Sequence, residues 1–235
     1  MKQTALLLVS AVVLCGCATT GYEHASETRS AISDARIVTV AVQERLDTIT
    51  TSLQNFNSNE VTNLQAPYQA FSKAVDNLSD QLDKLSHCSQ AVHEEGNDYL
   101  AAWQEQLGSY QNTDLRTNSA TRRAEVMDSF RRLNSELQAA QSSVRPVLTT
   151  LKDMQRYLAT DLTTSGVASI QQQSGQMSTQ IADIQLKLQS LVAELDRVSI
   201  DLSPMRPAKQ EASPAPSTPT APLPTSPPPA NAQPS

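Results

Sequence analysis

The stretch VMDSFRRLNSELQAAQSSVRPVLTTLKDMQRYLATDL, residues 126–162, carries apolar residues at alternating spacings of three and four: Val126, Phe130, Leu133, Leu137, Ala140, Val144, Val147, Leu151, Met154, Leu158 and Leu162. That alternation is the seam of a long amphipathic helix which buries one stripe against lengthwise partners. Pro146 removes one backbone donor within it, but the spacing continues without a change of phase. The sequence therefore predicts a kink at Pro146 and no break.

The same rule extends in both directions. Upstream, one seam runs Ile32, Ala35, Thr39, Val42, Leu46, Ile49, Leu53 and Phe56. A second runs Val61, Leu64, Tyr68, Phe71, Val75, Leu78, Leu82 and Leu85, then continues through Ser89, Val92, Gly96, Tyr99 and Trp103. Downstream, a fourth runs Val167, Ile170, Ser174, Met177, Ile181, Ile184, Leu188, Leu191, Leu195, Val198 and Leu202. Turn signals separate the four seams: Asn57-Ser58-Asn59, Gly108 to Asp114, and Thr163-Thr164-Ser165-Gly166. Pro67, in the early turns of the second helix, should bend it locally. Gly96 sits on a seam position, where the lack of a side chain admits a close neighbour or else allows a hinge.

The expected fold is all-α: an elongated antiparallel up-down-up-down four-helix bundle or coiled coil over residues 24–202. Folding about residues 58, 112 and 164 sets 24–57, 60–97, 127–163 and 165–202 side by side, with Leu53 beside Leu64 and Leu46 beside Phe71. The helix 2–helix 3 hairpin, 98–126, then protrudes uncovered by about 20 Å at 1.5 Å per residue. From Ser203 to residue 235 the chain holds 11 of its 13 prolines and should be a disordered tail.

Residues 1–16 read as a cleaved signal peptide, with Lys2 followed by a short apolar run from Ala5 to Leu14. Ten helical residues reach only about 15 Å, half of a bilayer's hydrocarbon core, so this run is no stable span. Leu14-Cys15-Gly16-Cys17 resembles the lipobox of bacterial lipoproteins. Cys17 follows the small Gly16, as cleavage requires, and is the expected site of attachment for diacylglycerol and an amide-linked acyl chain such as palmitate. Several chains together anchor stably where one does not. Residues 17–23 would be the tether. Ala18 stands where enteric-type sorting places an aspartate for inner-membrane retention, which directs the expectation to the outer membrane, facing the periplasm.

Removing residues 1–16 leaves 17 basic against 24 acidic side chains, so general nucleic-acid binding is not expected. Cys88 is then the one unlipidated thiol. It is read either as a small half-buried helix residue or as the bridge of a disulfide-linked homodimer. His24, Cys88 and His93 would approach one another in the folded hairpin, but their spacing matches no metal-ligand pattern. No nucleophile elbow, phosphate loop or zinc motif occurs, so no catalytic, cofactor or metal residue is assigned and the chain is read as a non-enzyme. The protruding tip offers Trp103, Tyr110, Arg116, Arg122 and Arg123, an aromatic and arginine mixture suited to a headgroup layer or a protein partner. The alternative reading packs Trp103 inside the hairpin and pairs Arg122, Arg123, Arg131 and Arg132 with Glu94, Glu95, Asp98 and Glu105.

Trp103-Gln104-Glu105, Tyr110-Gln111-Asn112, Leu115-Arg116, Val144-Arg145-Pro146-Val147-Leu148 and Val167-Ala168-Ser169-Ile170-Gln171 resemble a bacterial coiled-coil lipoprotein family classed as a domain of unknown function. The resemblance implies a helical lipoprotein and supplies no activity to carry over. The expected role is that of a lipid-anchored envelope scaffold, spacer or docking partner. A regulator of a membrane or peptidoglycan enzyme, acting through the hairpin tip, is the second reading. A metal-binding protein or hydrolase is the third.

Overall fold

A computed structural model describes residues 21–56 and 63–204. The expected lipobox with Cys17, residues 57–62 with the expected turn Asn57-Ser58-Asn59 and the seam residue Val61, and the proline-rich segment from 205 onward lie outside the described residues. Four helices follow in order: α1 Gly21–Phe56, α2 Gln65–Leu107, α3 Thr113–Thr160 and α4 Thr164–Asp201. Each packs against its neighbours in the chain, α1 also packs on α4, and the diagonal pairs do not meet. This is a ring of four antiparallel helices around one apolar core.

The seams are what the core is made of. Every seam position of α1 from Ile32 to Phe56, and of α4 from Val167 to Leu202, is buried. In α3 the positions from Val126 to Leu158 are buried, and only the terminal Leu162 is half-exposed. Burying one such leucine contributes about 1.5–3 kcal/mol, so the repeated stripe outweighs the weak helix propensity of many Ser, Thr and Gln residues. Thr39 is the fully buried polar member of the α1 seam, and its hydroxyl donates to the Ala35 carbonyl at 2.7 Å. The hydroxyl thus carries no unpaired donor into the core.

α3 runs through Pro146 without interruption. The proline faces solvent between buried Val144 and Val147, so the carbonyl it leaves without a partner, on exposed Ser142, is open to water. Gly96 is buried against α3, and a Cβ built on it would lie 3.1 Å from the ring of Phe130. Close approach is therefore the role of this glycine. Beyond it the buried positions of α2 are Leu100 and Leu107, while Tyr99 and Trp103 are only half-buried.

The pairing of α1 with α2 differs from the expected one. The Thr28 hydroxyl donates to the Glu95 carbonyl at 3.0 Å, the rings of Phe56 and Phe71 meet edge-on at 5.8 Å, and Gly21 lies against Gln106. Folding about residue 58 would have set Thr28 beside Ser89 and Phe56 beside Val61. α1 is thus slid by roughly two to three turns toward the far end of α2. α2 also starts later than expected: Asn63 Oδ1 accepts from the Gln65 amide at 2.9 Å, and helix begins only at Gln65. Pro67 then lies in the first turn, where its missing N–H has no intrahelical partner to lose, and the expected bend there is replaced by a helix start.

Two further boundaries move with it. Helix already begins at Gly21, so the last residues of the expected 17–23 tether belong to α1. α1 covers α2 as far as Gln106, and α4 ends where the Asp201 carbonyl accepts from Arg122 at 3.3 Å. The uncovered part is therefore mainly Thr113 to Arg122 of α3, about 14 Å at 1.5 Å per residue and not 20 Å.

Candidate functional site at the helix 2–helix 3 tip

The tip is built by a cap. Asn112 Oδ1 accepts from the amides of Asp114 at 2.9 Å and Leu115 at 3.0 Å, satisfying two donors that the first turn of α3 leaves open. Between Leu107 and Val126 no residue is buried. Leu115 is 57% and Tyr110 36% exposed, an apolar and an aromatic side chain at the end of the molecule. Beside them Gln104, Leu107, Gly108, Arg116, Thr117, Ala120 and Thr121 line an open cleft of about 500 Å³.

The five residues expected at this tip separate into two groups. Trp103 is half-buried, donates its indole N–H to Ser119 Oγ at 2.8 Å, and packs on Tyr99 with ring centres 5.4 Å apart. Burial pushes the Tyr99 phenol above its ordinary value, a rise that nearby Arg122 opposes. Arg123 Nε donates to the Leu100 carbonyl at 2.9 Å, and Arg122 pairs with Glu125 at 3.1 Å. Trp103, Arg122 and Arg123 are therefore engaged within the bundle, while Tyr110 and Arg116 face solvent. The arginines do not take the partners expected from α2. Arg131 binds Asp128 at 3.1 Å, and Arg132 approaches Glu194 of α4 at 3.8 Å.

The three candidate metal-ligating residues are held apart. His93 contacts Asn97 at 3.1 Å and Asn134 of α3 at 3.4 Å. The slide of α1 carries His24 to the region between Glu95 and Gln106, where its Nδ1 lies 3.5 Å from Glu27. Among the described residues no group of three His, Cys, Asp or Glu side chains is arranged to hold a metal ion. Cys88 is half-buried, and burial together with the carboxylate of Asp34 raises its thiol pKa, which disfavours the reactive thiolate. No described helix is long and apolar enough to cross a membrane.

Sequence reasoning passed over a charged cluster between α3 and α4. Glu194 accepts two bonds from Arg197, at 2.7 and 2.6 Å, and Arg197 reaches Asp201 at 3.0 Å. Its signal was available in the spacing Glu194, Arg197, Asp201, since side chains three and four apart on a helix are neighbours. Glu136, across the seam, was legible only once the register of α3 on α4 was known.

No curated protein and no solved structure matches this chain. A family model does, over nearly the whole helical region: residues 19–201 fit the family described as Protein of unknown function (DUF2959), and the chain belongs to it.

Proposed function

We propose that this is a lipid-tethered protein of the bacterial envelope that works by docking, as a scaffold or spacer, and not by catalysis. The observation that carries the reading is the unburied end of the α2–α3 hairpin, where Leu115, Tyr110 and Arg116 extend past the ends of α1 and α4. An exposed tyrosine and an exposed arginine are residue types enriched at the centres of protein interfaces. The lipobox motif supports the tether, with Cys17 as the acylated residue and the outer membrane's periplasmic face as the location. Regulation of a membrane or peptidoglycan enzyme is the second reading. The same exposed tip favours it, because a contact made there can be carried to the enzyme without a pocket on this chain.

The test is a photoreactive residue placed at position 110 and, separately, at 115 in intact cells, with captured species identified by mass spectrometry. One recurring protein partner supports docking, and an enzyme as that partner selects the regulatory reading. Capture of lipid alone, or no intermolecular capture at either position, overturns docking through the tip. The tether is tested separately: Cys17→Ser should release the protein from the membrane fraction, and retention would overturn acylation as its anchor.

A further inference from the structure

One carboxyl group outside the tip has no satisfactory partner. Glu136, on α3, has a carboxylate oxygen, Oε2, that is sealed from solvent and makes no hydrogen bond. It lines a groove of about 220 Å³ between α3 and α4, together with Ala139, Ala140, Lys187 and Ser190. Around it stand charges from both helices. Arg132 lies one turn back on α3, and α4 supplies Glu194, Arg197 and Lys187. Glu194 is only 16% exposed and is already held by Nε and Nη2 of Arg197 and approached by Arg132. α2 packs on the other flank of α3 and brings His93 and Glu94 to this level. His93 is turned to Asn134, and Glu94 accepts from Gln90 at 2.8 Å. Asn134 precedes Glu136 by two residues, about 200° around the helix, so the His93 side is remote from the carboxylate. α1 reaches α4 on its far side through Arg36 and Asp196, at 2.6 Å.

We propose that Glu136 is a proton-operated latch on the α3–α4 seam, closed when its carboxyl is neutral and strained when it ionises beside Glu194. The arginines are committed elsewhere: Arg197 to Glu194 and Asp201, and Arg132 in part to Ser129 Oγ at 3.1 Å. An ionised Glu136 therefore leaves a charged oxygen shut away without a donor, which costs more than the neutral acid does. Two causes favour the neutral form and hold its pKa above the ordinary glutamate range: burial first, then the charge of Glu194, with the arginines opposing both. A folded-state pKa raised in this way means that the stability associated with Glu136 is complete below its unfolded pKa and is lost as pH rises through the folded one. Glu194 runs the other way. Its carboxyl is held low, chiefly by the Arg197 hydrogen bond, so its contribution is present at neutral pH and lost in acid.

The test compares thermal unfolding of the full chain with that of Glu136→Gln between pH 4 and pH 8. Glutamine keeps the shape and removes the charge. The two proteins should unfold together near pH 4. Above the folded-state pKa, Glu136→Gln should unfold at the higher temperature, and amide exchange of residues flanking 136 and 190 should be slower in the variant. Carboxyl carbon shifts of Glu136 in the unmodified protein should titrate above the ordinary glutamate range. A variant less stable than the parent at pH 7, a difference that does not change with pH, or an ordinary titration midpoint would overturn the latch.

Discussion

The α1–α2 and α3–α4 hairpins are built from equally clear seams, yet their registers are set in different ways. Between α3 and α4 the chain turns in three residues. Thr163 Oγ1 accepts from the Gly166 amide at 3.0 Å and donates to Asp161 Oδ1 at 2.8 Å, and a Cβ on Gly166 would collide with the Asp161 carbonyl. So tight a turn permits one register only. Between Phe56, where α1 ends, and Gln65, where α2 starts, the described residues are Asn63 and Leu64, and Asn63 Oδ1 accepts from the Gln65 amide. The register of that pair is marked by the packing of Phe56 on Phe71 and of Thr28 on the Glu95 carbonyl. A short capped turn dictates how two helices slide past each other, and where more residues join them, contacts in the core mark the register.

The contrast can be broken most sharply by crosslinking. In a Cys88→Ser background, the pair Thr28→Cys with Glu95→Cys should form a disulfide in most molecules under mild oxidation, and Thr28→Cys with Ser89→Cys should form almost none. Electrophoresis without reductant reads the outcome, and the reverse pattern would restore the register expected from folding about residue 58. Next in size is Gly166→Ala. It drives a methyl group into the Asp161 backbone and should cost about 2–4 kcal/mol, a fall in midpoint of roughly 5–15 °C by calorimetry. Removing the cap with Thr163→Ala should cost about 1 kcal/mol, and Asn63→Ala less than that, since Asn63 Oδ1 accepts a single amide while Thr163 Oγ1 both accepts from Gly166 and donates to Asp161. Equal losses in denaturant titrations would contradict the distinction between the two turns. The smallest effect is a gain. Gly175 on α4 has open space where a Cβ would go, so Gly175→Ala should stabilise by about 0.5–1 kcal/mol.

The four helices were legible because Ile32 to Phe56, Leu64 to Leu85, Val126 to Leu158 and Val167 to Leu202 keep the spacing of three and four without error. The phase of a seam is visible in the residues, but its slide is not. Moving α1 along α2 from one seam position to another again sets apolar on apolar, so Leu46 fits beside Phe71 on paper as well as Phe56 does. Only Pro67 hinted at the answer, because a proline is best tolerated in a first turn. At the tip, exposure of Tyr110 and Arg116 followed from their position beyond the seam ends. The capture of Trp103 by Ser119 depended on the register of two helices that residue types alone do not encode.

Gly21 and Pro204, the first and last described residues, both lie at the end of the bundle that carries the hairpin tip. A pull applied between them would not shear the long seams, which would demand that many side chains slip together. It would load α1 against α4 at one end, where Arg36 and Asp196 are among the first bonds met, and would open the pair turn by turn as a zipper opens. Such a molecule yields to tension at low force, yet resists compression along its length as a rod of four struts.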